Sequence, residues 1–72
     1  MNGQQAATMV SAFDGYFYQT VQTFNGKNVV VQTTRNPLQG LLRATMPDHV
    51  VIEVSGTPFY VRTQEIIWVS LA

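Results

Sequence analysis

The stretch LQGLLRATMPDHVVIEVSGTPFYVR, Leu38–Arg62, decides the fold, because its apolar residues recur every second position. Leu38, Gly40, Leu42, Ala44 and Met46 fall on one face, with Gln39, Leu41, Arg43 and Thr45 on the other. That alternation is the mark of a half-buried strand. Met46-Pro47-Asp48-His49 then carries turn chemistry: proline presets its φ and aspartate bonds to nearby backbone amides. Beyond it Val50, Ile52 and Val54 point inward against Val51 and Glu53, Ser55-Gly56 turns the chain, and Phe59 and Val61 stand opposite Tyr60 and Arg62. Gly40 in mid-strand suits a sharp bend, where a side chain would block closure.

The pattern extends in both directions. NVVVQTT, Asn28–Thr34, is β-branched and ends at the turn signal Arg35-Asn36-Pro37. EIIWVSL, Glu65–Leu71, sets Ile67, Val69 and Leu71 inward and Ile66 and Trp68 outward. Strands are therefore expected over about 28–34, 38–46, 49–55, 58–63 and 66–71. Before them, Val10, Phe13, Phe17, Val21 and Phe24 step by three and four, which predicts an amphipathic helix over about 8–24, ended by Asn25-Gly26. A competing reading takes Asp14-Gly15 as the end of a short helix and pairs Tyr16–Phe24 with Lys27–Thr34 around the Asn-Gly turn. Residues 1–7 are small and polar, and disorder is expected there. The fold class that results is mainly β with an N-terminal helix: one domain, 8–72, forming a small, strongly bent, five-stranded antiparallel barrel.

Composition narrows function more by exclusion than by indication. At 72 residues the chain has room for one core, and it has no cysteine to staple it. Lys27, Arg35, Arg43 and Arg62 balance Asp14, Asp48, Glu53 and Glu65, so the net charge is zero and there is no field to gather a polyanion. Charged residues make up 11%, against roughly 25% in average domains, which favours self-association. No stretch approaches the ~20 apolar residues of a membrane span, and MNGQQAATMV lacks the basic and apolar parts of a signal peptide, so a cytoplasmic protein is expected.

Candidate chemistry is sparse. Asp48-His49 holds the single histidine, and a catalytic or metal-ligating reading needs partners that one histidine, no cysteine and scattered carboxylates do not supply. It is read as a strand corner, and neither an enzyme nor a cofactor is expected. Leu41, Val51, Ile66 and Trp68 point away from the inner face and are the candidate interface, the natural partner being further copies of the same chain. Gln39, Tyr60 and Arg62 form the alternative surface, on which an aromatic ring and a cation could meet single-stranded RNA.

GKNVVVQTTR, PDHVVIE and FYVRTQEIIWV, within the span Tyr18–Ser70, resemble the small YuzF-like proteins of endospore-forming bacteria. A looser likeness is to the spore-coat protein GerQ, in the order helix, Gly-Lys, strand, glycine-bearing strand and Asp-His corner. Both likenesses imply association with the spore or its coat proteins, and neither implies an enzymatic activity. The architecture is also similar to Sm-like/SH3-like barrels, including the RNA chaperone Hfq, with LQGLL matching their glycine-bearing second strand. That likeness implies homo-oligomers joined through edge strands. The chaperone's Tyr-Lys-His element stands here as Tyr60-Val61-Arg62, without its histidine, so the RNA site is not carried over with the architecture.

Overall fold

A computed structural model of the chain describes residues 9–11 and 15–72. Its elements run β1 (Met9–Ser11), α1 (Phe17–Gln22), β2 (Asn28–Thr33), β3 (Pro37–Thr45), β4 (His49–Val54), β5 (Thr57–Arg62), a 3-10 turn (Thr63–Glu65) and β6 (Ile66–Leu71). The strands form one antiparallel sheet of six in the order β1-β6-β2-β3-β4-β5. The five strands expected from residue 28 onward are all present, each within about a residue of its expected bounds. The chain is thus mainly β with one short helix. The sheet ends at β1 on one side and β5 on the other, and these two do not pair, so it is not closed.

The predicted helix over 8–24 is corrected. Its last third is helical, whereas Met9–Ser11 is a strand that pairs with β6 as Met9 with Ser70, Val10 with Val69 and Ser11 with Trp68. Two forces oppose the longer helix. A glycine inside it costs about 1 kcal/mol relative to alanine, and the edge of β6 offers backbone partners to an extended segment. Gly15 lies in the turn before α1 instead. The competing hairpin is corrected too, since residues 17–22 are helical rather than paired with β2. Phe13 and the expected disorder over 1–7 lie outside the described residues.

A helix of six residues is too short to stand alone in water. What holds α1 is its stripe: Phe17, Val21 and, one turn on, Phe24 are buried against Val29 and Val31 of β2, Leu42 of β3, Val50 and Ile52 of β4, and Ile66 and Val69 of β6. Burial of each such side chain contributes roughly 2 kcal/mol. The turn after the helix is fastened to the sheet. Gly26, at φ 86°, donates its N–H to Leu42 O at 2.7 Å, and the buried Thr45 hydroxyl donates to Asn25 Oδ1 at 2.9 Å.

Two bulges shift the expected faces. Between Leu42 and Ala44 the β3–β4 register slips at Arg43, which sends Thr45 into the core and leaves Met46, expected inside, exposed. Between Gln32 and Thr33 the β2–β6 register slips past Ile67, so Ile66 is buried at 4% exposure and Ile67, expected inside, is 41% exposed. Phe59, expected to face inward, is 43% exposed on β5, which has no strand beyond it among the described residues.

Gly40 meets the expectation that a side chain would not fit there. A Cβ built there would run into the backbone carbonyl of Glu53 and come within 3.0 Å of methyl groups of Ile52 and Val54. Gly15 has no atom within 4 Å of the same construction and a φ open to any residue. Gly40→Ala should therefore lower unfolding stability by about 1–3 kcal/mol, as overpacking does, while Gly15→Ala stays near wild type. Urea unfolding of the two variants checks this, and equal midpoints would contradict it.

Candidate functional site

The antiparallel pairing of β4 with β5 sets His49 opposite Arg62 and Val51 opposite Tyr60. Because alternate residues share a face, His49, Val51, Tyr60 and Arg62 all stand on the sheet face away from α1. At the end of this ladder Asp48, His49, Tyr60, Arg62 and Gln64 line an open cleft of about 260 Å³. The rings of His49 and Tyr60 lie 6.3 Å apart, tilted by 44°.

The local chain explains the grouping. The β3–β4 corner closes with the Met46 N–H donating to His49 O at 2.8 Å, which turns His49 back along the sheet. The Thr63 N–H donates to Asp48 O at 2.9 Å and ties the 3-10 turn to that corner. Gln64 rides on this turn. Asp48 and His49 meet through Oδ1 and Nδ1 at 2.7 Å. The hydrogen bond from His49 holds the Asp48 carboxyl below the usual aspartate range, and the charge of Arg62 acts in the same direction.

The expected corner is therefore confirmed in its geometry: Asp48 and His49 form a strand junction fastened on both sides. Tyr60 and Arg62 of the alternative surface are brought together in the cleft. Gln39 is not. It lies on β3 opposite Val30, beyond β4 and toward that strand's Val54 end. Of the candidate interface, Leu41, Val51 and Trp68 are half-buried on the outer face. Ile66 is corrected to the core, for the reason given by the β6 bulge. The remaining three do not form one patch. Leu41 and Val51 flank Glu53, whereas Trp68 lies beside Gln32. Gln64 was not singled out by its sequence, since only the register of β4 with β5 reveals that it adjoins His49.

Chemically the cleft joins an exposed ring, a guanidinium, an imidazole and an amide, opposed by one carboxylate. Among the described residues no group of three or more His, Cys, Asp or Glu could hold a metal ion. No helix among them is long and apolar enough to cross a membrane.

Comparison with known proteins places the chain by descent. The family model described as "Domain of unknown function (DUF2642)" matches residues 8–70. The chain belongs to the DUF2642 family. The chain is also 40% identical over 53 residues to "Uncharacterized protein YuzF" of Bacillus subtilis (strain 168), an overlap of 74% of this chain and 68% of that protein. The expected YuzF-like kinship is thereby shown. No solved structure matches it.

The Asp48 hydrogen bond has a consequence for pH. A carboxyl whose folded midpoint is lowered adds stability while it is ionised, fully so above its unfolded midpoint, and loses it as pH falls through the lowered one. NMR titration should find Asp48 ionising below ordinary aspartates, and His49→Gln should move that midpoint upward while leaving the sheet intact. An unmoved midpoint would show that the His49 hydrogen bond is not its cause.

Proposed function

We propose that this protein is a non-enzymatic, self-associating module whose β5 edge joins it to further copies of itself, working in the spore or its coat. One observation carries the reading: among the described residues β5 closes one end of the sheet with no strand beyond it, and there it presents Phe59 and Tyr60 at 43% and 69% exposure. An edge of unpaired backbone groups is a template for a further strand, and exposed aromatic rings favour such contacts. The chain does little to defend this edge. Arg62 is the one charge on β5, and the net charge of zero supplies no repulsion between copies. A single 72-residue core without a disulfide also gains from burying surface against a neighbour.

The architecture we propose for the unit is a strongly bent barrel of the Sm-like/SH3-like kind, formed by β2 to β6. The order β6-β2-β3-β4-β5, in which the last strand returns beside the first of the five, supports it, as do the two bulges and the crowded Gly40. The spore setting follows from the likeness to YuzF-like proteins and to GerQ.

A second reading has an observation of its own. Tyr60, Arg62, His49 and Gln64 share one cleft, which supports weak binding of single-stranded RNA by stacking on Tyr60 with Arg62 against phosphate. The two readings compete for the same residues, so they are separable.

Sedimentation equilibrium from micromolar to millimolar concentration tests the first reading. Association is expected, and Tyr60→Lys, which adds charge to the edge without touching the core, should weaken it at least tenfold. A chain that remains monomeric throughout would contradict it. Titration with oligo-uridine at low salt tests the second, where saturable binding lost in Tyr60→Ala is the supporting result.

A further inference from the structure

The backbone of β5 limits how a second copy can dock. In an antiparallel ladder, residues directly opposite alternate between pairs that exchange both hydrogen bonds and pairs that exchange none. The Thr63 N–H donates to Asp48 O, and the hairpin turn, with Ser55 at φ 51° and Gly56 at φ 82°, closes on Val54 and Thr57. Counting in from both ends gives the same result. Thr57, Phe59 and Val61 aim their backbone groups at β4, while Pro58, Tyr60 and Arg62 aim theirs away, at the free edge.

Pro58 has no N–H to offer there. Proline on an edge strand is a common guard against unlimited pairing. Here it guards only one end, and Tyr60 and Arg62 remain with both groups free to pair. For two copies related by a two-fold axis, the possible registers then differ in cost. A register centred on Tyr60 sets Pro58 opposite the neighbour's Arg62 and forfeits a hydrogen bond at each end. A register centred on Val61 sets Tyr60 opposite the neighbour's Arg62, with every edge-facing donor and acceptor of both residues matched, and moves Pro58 past the end of the neighbour's strand.

We infer that two copies pair β5 to β5 about a two-fold axis at Val61, with Tyr60 of each copy directly opposite Arg62 of the other. The register is favourable for side chains as well as backbone. Tyr60 and Arg62 stand on one face and lie within reach of a cation–π contact, which occurs twice by symmetry. On the opposite face Phe59, left 43% exposed by the single chain, comes to lie opposite Thr63 of the neighbour and is covered. Each cleft of Asp48, His49 and Gln64 thus has the partner's edge beside it, with Tyr60 engaged by the partner's arginine. This inference rests on the self-association proposed above and adds its geometry.

The chain has no cysteine, so single cysteines report the register without background. In a pair without mutual hydrogen bonds the Cα atoms of opposing residues are about 4.5 Å apart, inside the about 4.4–6.8 Å span of disulfides. Val61→Cys should form a disulfide-linked dimer as the major product under mild oxidation at associating concentrations. Tyr60→Cys and Thr57→Cys should remain mostly unlinked. If the unmodified chain associates but the Val61→Cys variant does not link, or if Tyr60→Cys links in preference to it, the register is overturned while self-association stands. A monomeric unmodified chain would overturn both. Should Val61→Cys fail to fold, Arg62→Glu, at an exposed site, gives the second reading: association weakened at least tenfold is expected, and unchanged association overturns the inference.

Discussion

Among the described residues, the buried face of this sheet shares its core with very little helix: the six residues of α1 and Phe24 just beyond them. Phe17, Val21 and Phe24 are the lid on a surface made from Val29, Val31, Leu42, Val50, Ile52, Ile66 and Val69. Everything else follows from that economy. The alternation within each strand is fixed by which residues the lid meets, and the crowded Gly40 lets β3 approach β4 closely behind it. Because the lid is small, β5 lies at the margin of the core with both its aromatic residues in solvent.

The strands were legible in the sequence because their signal is repetitive and local. HVVIEV and NVVVQT bury every second side chain, and Gly26 and Gly56 in the turns take the positive φ angles that glycine allows. The misplaced faces of β3 and β6 share one physical origin. A β-bulge adds a residue on one strand without changing its composition, so Arg43 and Ile67 reverse the parity of all that follows or precedes them. Period-two counting cannot detect such a slip, and it put Ile66 outside and Met46 inside. The N-terminal segment failed differently. TMVSAF suits helix and strand alike, and the choice was made by the exposed edge of β6, a partner some sixty residues away in sequence.

The cleft illustrates a further limit. The turn residues of Asp48-His49 mark a corner in the sequence, and Tyr60 and Arg62 are both exposed, whereas Gln39 lies elsewhere on the sheet. That the corner, Tyr60 and Arg62 belong together is a property of the β4–β5 register and of the Thr63 to Asp48 hydrogen bond, neither visible in any one segment. The result is a corner stiffened at both ends beside a strand edge that Pro58 guards at one end only.

Among the described residues β5 is half-paired: one set of its backbone groups bonds to β4, and the other faces out, where we propose that a second copy docks. Amide hydrogen exchange of the unmodified chain, followed by NMR at a dilute and at a concentrated limit, measures this directly. When dilute, the amides of Phe59 and Val61 should exchange slowly with the rest of the sheet while those of Tyr60 and Arg62 exchange as exposed groups, and concentration should slow Tyr60 and Arg62 selectively. Tyr60 and Arg62 protected as strongly as their neighbours in the dilute chain, or still unprotected in the associated one, would contradict it.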